Sequence, residues 1–272
     1  MRIKRYQIIK MLRQIDLLSE VFLAFDPSNE KEVAIKVLKS DCRHDDEAVE
    51  LFFREAMILS TFESPHFVKV LDFEKAYDPP FMVMELLKGA DLFDVLFRDN
   101  ECLTSETKFK IIMQMVVGVN YMHKRDIIHS NLDLRHIFIT ENMFVKIIGF
   151  SDVKFFKGMA MKNLSYASPE EMMEDIVDHR TDLFQLGMIF YELFTGRRPF
   201  EHESYNLYQV IQETPRPMKE LDPEYQFLER VIMRLLEKKP DKRYQSTQDL
   251  LNDLTGNKAD RQQGAWYRPL PR

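Results

Sequence analysis

The sequence predicts an α+β fold made of a small β-rich part with one helix, followed by a larger helical part. The distribution of glycine marks the division, because none of the eight glycines precedes Gly89. The apolar pattern changes at the same place, from short β-like runs to repeats with the helical period. We therefore divide the 272 residues into segments 1–88 and 89–254 and a polar tail at 255–272.

The first part has the pattern of a small sheet with one helix. Short apolar runs at 21–25 and 32–38 flank a turn signal at 26–31. Residues 46–62 carry apolar side chains at helical spacing behind an acidic first turn, which predicts a helix. Two more apolar runs follow and complete the predicted sheet, at 66–73 and 81–87.

The second part is predicted to be helical. Amphipathic or apolar periods predict helices, two of them ending at glycine, over 105–124, 181–196, 205–212, 224–239 and 247–256. Residues 127–170 interrupt this pattern with a predicted strand pair, which begins in the apolar run at 127–128 before a polar turn, and a long irregular loop. A long loop inside a compact domain is usually functional.

Composition excludes several classes of function. A net charge of −6 without a basic stripe argues against a nucleic-acid partner. Cys42 and Cys102 have no metal or disulfide spacing, which is typical of free thiols in a reducing compartment and predicts a cytoplasmic protein. No window approaches 18 uninterrupted apolar residues, so no membrane span is predicted.

Several motifs occur in the order found in eukaryotic-type Ser/Thr protein kinases. They are VAIK at 33–36, Glu55 in the predicted helix, YASPE at 166–170, TDLFQLGMIFYELFTGRRPF at 181–200 and EKKPDKRY at 237–244. From Tyr6 to Leu254 the chain resembles this family, and its late motifs resemble the bacterial (Hanks-type) branch. The resemblance implies a bilobal protein-kinase-like fold, with residues 1–88 as N-lobe and hinge and 89–254 as C-lobe.

The resemblance gives structural roles to a set of retained residues. Glu170 is expected to pair with Arg243, and Asp182 is expected to hold the backbone of the catalytic loop. An internal column of packed side chains is expected from His129, Phe150, Leu71 and Leu59 or a neighbour.

The positions that carry the family's reaction hold different residues. Asn131 stands at the catalytic base, and an amide cannot accept a proton. Asp133 replaces a lysine and is expected to repel ATP phosphates. His136 and Gly149 stand at the two magnesium positions, and Asp152 restores a ligand only if the loop shifts in register.

The segment at 12–24, where the family has its glycine-rich phosphate loop, contains no glycine. The residues that could still contact a nucleotide are Lys36, Glu55, Met84, Glu85 and Leu87. Lys36 and Glu55 either bind a phosphate or form a structural ion pair. Phe138 and Met84 are expected to fill the adenine pocket, so ATP is disfavoured, and neither a cofactor nor Mg²⁺ is expected.

These departures predict a catalytically inactive pseudokinase that is not an enzyme and acts as an allosteric regulator or scaffold. Its expected partner is a protein, either an active kinase homologue or a regulated target, and resemblance suggests a dimer through the N-lobe. The alternatives are a nucleotide-binding sensor without turnover and an unconventional metal-independent transferase with Asp133 as base. His129, Asp133 and His136 also have a spacing that metal sites use, but solvated or buried polar residues are the preferred interpretation, and no metal is predicted.

Overall fold

The computed structural model describes residues 2–13, 18–98, 103–150, 155–156, 159–160, 164–173, 175–200, 207–218 and 221–259. The strands are β1 (Arg2–Ile3), β2 (Tyr6–Arg13), β3 (Ser19–Asp26), β4 (Lys31–Leu38), β5 (Val70–Glu74), β6 (Phe81–Glu85), β7 (Gly89–Asp91), β8 (Ile137–Thr140), β9 (Val145–Ile147), β10 (Phe155–Phe156) and β11 (Met159–Ala160). The helices are α1 (Asp46–Ser60), α2 (Leu92–Phe97), α3 (Ser105–His123), α4 (Pro169–Met172), α5 (His179–Thr195), α6 (Leu207–Gln212), α7 (Phe227–Leu235) and α8 (Thr247–Ala259). Short 3₁₀ helices occur at Leu164–Tyr166, Pro223–Tyr225 and Pro240–Lys242.

The small lobe is an antiparallel sheet with strand order β1-β2-β3-β4-β6-β5, and α1 packs against it. Asp45 caps α1 by accepting a hydrogen bond from the amide of Ala48. Phe52, Ala56 and Leu59 recur at helical spacing and are buried, which fixes the face that α1 turns to the sheet. Glu55 shares this buried face, so the lobe places one carboxylate inside its core.

The large lobe is organised around α5, whose side chains are buried over almost its whole length. A helix that is apolar all round belongs in a core, and here α3 and α7 pack against it. Asp178 caps its start, and it ends at Gly196, whose φ of 70° few other residues adopt readily. A small sheet has the strand order β7-β8-β9. The loop of residues 124–136 connects α3 to its central strand, β8.

The predicted α+β, two-lobed fold is confirmed, with local differences. The apolar run at 127–128 is not a strand, because the amide of Ile127 donates to the carbonyl oxygen of Met122 in α3 and the amides that follow, of His129 and Ser130, donate to Asp182 in α5. The strand Tyr6–Arg13 was not predicted from the sequence. The last helix continues through Gly256 to Ala259, since glycine in a helix costs only about 1 kcal/mol.

Two further observations bear on the sequence predictions. Among the described helices, none is both long enough and apolar enough to cross a membrane. The predicted tail at 255–272 lies outside the described residues from 260 onward.

Candidate active site

Lys36 and Glu55 form a buried ion pair between the sheet and α1. Lys36 is on β4 and Glu55 on α1, and Lys36 Nζ lies 2.5 Å from Glu55 Oε2. Their exposed fractions are only 4% and 6%. Of the two interpretations left open by the sequence, the ion pair is therefore present. Both residues also line the cavity between the lobes, so the pair is available to a ligand there.

The cavity has a volume of about 280 Å³, close to the lower end of the range for ligand pockets, about 300 Å³. Met84 and Leu87 line it from the segment that joins the lobes, and Phe138 lines it from β8. The prediction that Phe138 and Met84 fill the adenine pocket is wrong, because both side chains form part of the wall and leave this volume open.

Glu85 lines the same cavity, but its carboxylate is engaged elsewhere. Oε1 accepts hydrogen bonds from Lys146 Nζ at 2.6 Å and from the amide of Lys69 at 2.9 Å. The Glu85 amide donates to the carbonyl of Lys69 at 2.9 Å. Glu85 therefore stabilises the connection between the lobes through its side chain and its amide.

Asp182 holds the catalytic loop in place as predicted. Its two carboxylate oxygens accept the amides of His129 at 2.9 Å and Ser130 at 2.7 Å. Burial opposes its ionisation, but hydrogen bonds from His123 Nε2 and the loop outweigh burial and hold the pKa of Asp182 below its usual range. Gln185 extends the same support by accepting the amide of Leu132. The loop is therefore fixed from α5.

Asp133 turns its carboxylate toward its own loop. Oδ1 accepts the amides of Arg135 at 2.8 Å and His136 at 3.0 Å, and it lies 2.8 Å from His136 Nδ1. Burial opposes ionisation, but the His136 charge and these hydrogen bonds lower the pKa of Asp133. It does not line the cavity, so the predicted repulsion of ATP phosphates at close range has no support in this geometry.

His136 and Gly149 form a packed pair that the sequence alone did not reveal. Gly149 has a φ of 79°, and a Cβ atom built on it would lie 2.2 Å from His136 Cδ2. The imidazole therefore occupies the space above the glycine, and only glycine fits beneath it. The sequence does show that His136 and Gly149 together replace the two magnesium ligands of the kinase family, and this joint replacement was the available signal for their packing.

These residues do not fit Mg²⁺ at the two positions that the family uses. Mg²⁺ requires oxygen ligands in near-octahedral geometry, whereas Gly149 has no side chain and the His136 ring packs on Gly149 and Asp133. Asp152 lies outside the described residues. In the part of the chain that the structure describes, no group of three or more His, Cys, Asp or Glu residues is placed to hold a metal.

Part of the predicted internal column is present. His129 is fully buried, its ring lies 4.6 Å from that of Phe150, and Leu59 is buried. Burial, with the charge of His136, lowers the pKa of His129 to about 4. The assignment of Leu71 is wrong, since 47% of its surface is exposed. Leu71 is the extra residue of an irregularity in β5, and Val70 packs on the core instead.

Glu170 and Arg243 form the predicted ion pair in the large lobe. Arg243 donates from Nη1 to Oε1 and from Nη2 to Oε2, each over 2.7 Å. Burial opposes ionisation of Glu170, but Arg243 outweighs it and lowers the pKa of Glu170. The pair ties α4 to the segment between α7 and α8.

The rim of the cavity carries charges that the sequence did not single out. Arg13 and Asp91 both line it, and Arg13 Nη1 lies 2.8 Å from Asp91 Oδ2. Their positions are 78 residues apart, so no local pattern in the sequence indicates the pair.

Comparison with known proteins identifies the architecture. Residues 17–254 match the family model described as protein kinase domain. The chain belongs to the protein kinase family. It is 31% identical over 256 residues to the serine/threonine-protein kinase PknB of Mycolicibacterium smegmatis, covering 87% of this chain and 40% of PknB. It is 29% identical over 268 residues to the serine/threonine-protein kinase PrkC of Bacillus subtilis, covering 94% of this chain and 41% of PrkC.

A solved structure supports the same fold. The PknI kinase domain of Mycobacterium tuberculosis aligns with a TM-score of 0.72 at 22% identity, covering 94% of this chain and 97% of that domain. This likeness shows the protein kinase fold, with a curled sheet in the small lobe and a helical large lobe. The chain spans about two fifths of the length of the curated relatives it matches.

The comparisons correct three predictions made from the sequence. The prediction that the chain is not an enzyme is wrong, because the relatives are named as serine/threonine-protein kinases. The pseudokinase and scaffold interpretation is overturned by the same names. The expectation of no cofactor is also wrong, since protein kinases take their phosphoryl group from ATP with magnesium. The substitutions at Asn131, His136 and Gly149 remain as facts of the sequence.

Proposed function

We propose that this chain binds ATP in the cavity between its lobes and transfers a phosphoryl group to a Ser or Thr hydroxyl of a protein. The observation that carries the proposal is the buried Lys36–Glu55 pair on the cavity wall. A buried lysine with its ammonium group oriented by a carboxylate is a preorganised donor for phosphate oxygens.

The cavity also offers what a purine base requires. Met84, Leu87 and Phe138 give it apolar walls, and Lys36 and Glu55 place charged groups on the same wall. Ligand pockets combine a mostly apolar lining with a few placed polar groups, and this cavity has both. The candidate nucleotide-contacting residues Lys36, Glu55, Met84, Glu85 and Leu87 all line it.

The reaction relies mainly on positioning and electrostatic stabilisation, which the protein provides without covalent chemistry. Lys36 supplies a positive charge at the cavity wall, and Asp182 fixes the loop that faces the acceptor. Asn131 cannot act as a base, and Asp133 is a weak one because its pKa is lowered. Since base catalysis contributes about 10²–10⁴ in rate, we expect slow transfer. No step is assigned to a metal held by His136 or Gly149.

Transfer of labelled phosphate from ATP, with Mg²⁺ or Mn²⁺ present, tests the proposal on this chain and on generic protein substrates. Lys36→Met should abolish incorporation. Lys31→Met is the matched control, because Lys31 is on the same strand, is exposed and does not line the cavity. Equal incorporation by Lys36→Met and the unaltered chain would contradict the proposal, as would incorporation indistinguishable from a protein-free blank.

A second proposal concerns association with another protein through the small lobe. Ile9 and Met11 on β2 are 53% and 50% exposed, which leaves apolar surface there. We propose that a second copy of this chain docks on this strand. Sedimentation velocity of the chain and of Met11→Glu would test it, and a monomer at every concentration of the unaltered chain would refute self-association.

A further inference from the structure

An ion pair crosses the rim of the cavity and joins the two lobes. Arg13, the last residue of β2 in the small lobe, donates from Nη1 to Asp91 Oδ2 in the large lobe over 2.8 Å. Its Nη2 donates to the carbonyl oxygen of Arg135 in the catalytic loop over 3.3 Å. One side chain of the small lobe thus contacts two separate segments of the large lobe. We call Arg13, Asp91 and Arg135 the rim cluster.

The acceptor in this cluster is held in place independently of Arg13. Asp91 is 4% exposed and divides its two oxygens between two tasks. Oδ1 caps α2 by accepting the amide of Asp94 at 2.9 Å, whereas Oδ2 faces Arg13. Arg135 reinforces the arrangement, because its guanidinium lies 4.0 Å from the Phe93 ring and 3.9 Å from Asp91 Oδ2. Asp91 is therefore a prepared site for a cation.

The side chain of Arg13 is partly exposed to solvent, whereas that of its partner Asp91 is buried. The Arg13 side chain is 29% exposed, and it lies at the end of a strand whose neighbouring residues 9–12 are largely exposed. An ion pair with one exposed partner weakens as salt concentration rises, whereas a buried partner retains its position. The pair can therefore open without disturbing the cap of α2.

Two members of the cluster lie on the wall of the cavity, at the boundary between the lobes. Arg13 and Asp91 line the same cavity as Lys36 and Glu55, and they approach it from opposite lobes. While the pair is closed, the two lobes are tied together at the rim and the Asp91 carboxylate is occupied. A nucleoside that enters has to compete with Arg13 for the rim or separate the lobes against this contact.

We infer that the Arg13–Asp91 pair is a latch that holds the two lobes together across the rim of the cavity and lowers its affinity for nucleosides. The inference rests on the proposed function, since it assumes that the cavity takes an adenine nucleotide. Arg13 thereby sets the affinity of the cavity for the nucleoside. This role is separate from the phosphate contact that the proposed function gives to Lys36. The latch depends on charge, so ionic strength opens it and a neutral side chain at residue 13 removes it.

Calorimetric titration of the full chain with adenosine tests the latch, because adenosine has no phosphate that could contact Arg13 directly. Arg13→Gln should raise the affinity about fivefold at low salt, which corresponds to ~1 kcal/mol. Lys10→Gln removes the same charge from the same strand at an exposed position outside the cavity and should leave the affinity unchanged. The unaltered chain should approach Arg13→Gln when salt is raised from about 0.01 M to about 1 M.

A double-mutant cycle in thermal unfolding measures the latch without any ligand. Asp91→Asn keeps an Oδ1 that can cap α2 and weakens only the contact to Arg13. The combined Arg13→Gln and Asp91→Asn variant should lower the melting temperature less than the sum of the two single changes. Additive shifts would overturn the latch, and so would an adenosine affinity that Arg13→Gln leaves unchanged or reduces. An absence of adenosine binding by every variant at millimolar concentration would also overturn the latch, whereas the proposed function is overturned by an absence of ATP binding to the unaltered chain.

Discussion

Replacing Arg243 by alanine should destabilise the large lobe strongly. The guanidinium is 1% exposed and makes two charged hydrogen bonds to Glu170, each over 2.7 Å. It also donates to the carbonyl oxygens of Glu237, Arg180 and Lys238, at 2.8, 2.9 and 3.1 Å. Its removal leaves the carboxylate of Glu170 buried without its cation, and breaking a buried pair from one side costs about 3–5 kcal/mol.

This cost is large beside the total free energy of unfolding of a domain, about 5–15 kcal/mol. The assay is urea unfolding followed by circular dichroism, with the midpoint and slope compared between variants. Arg243→Lys is the matched comparison, because it keeps the charge and loses the fork that reaches both oxygens, so it should lie between alanine and the unaltered chain. Removing both charges with Arg243→Met and Glu170→Met together should recover part of the loss. A loss below about 1 kcal/mol for Arg243→Ala would refute the reasoning.

Two further predictions concern the catalytic loop. Gly149→Ala should lower the melting temperature, because its Cβ would lie 2.2 Å from the His136 ring at a φ of 79°. Adding His136→Ala should relieve the clash and leave only the backbone strain. Equal melting temperatures of Gly149→Ala and of the double variant would contradict the packing. The free energy of unfolding should also fall as pH drops from about 6.5 toward 4, because His129 is buried with a pKa of about 4 and the unfolded chain binds the proton first. Urea midpoints at successive pH values measure this, and His129→Gln should flatten the dependence in that window; an unchanged slope would refute the assignment to His129.

The parts of the fold that the sequence predicts well are those with local signals. The period of apolar residues and Gly196 are sufficient to predict α5 from the sequence. The acidic first turn and the apolar stripe are sufficient to predict α1. The structural positions Asp182, Glu170 and Arg243 follow from short motifs with a fixed order, and their contacts are those expected. Leu71 was misplaced because an irregularity in β5 shifts the facing of side chains by one residue.

Contacts between distant segments are less accessible from the sequence. Arg13 and Asp91 meet only because the two lobes close on each other, and neither residue belongs to a motif. The packing of His136 over Gly149 depends on the backbone path of two loops, so two substitutions that seemed independent in the sequence compensate each other in space. The orientation of Asp133 toward its own loop follows from two backbone amides that the residue pattern does not reveal.

The central claim is that the cavity between the lobes binds ATP through Lys36. Calorimetric titration of the full chain with ATP in the presence of Mg²⁺ tests it most directly, with Lys36→Met and the strand-matched control Lys31→Met measured beside it. We predict saturable binding by the unaltered chain and by Lys31→Met, and its loss in Lys36→Met. An absence of binding to the unaltered chain at millimolar ATP, or equal binding by all three proteins, would contradict the claim.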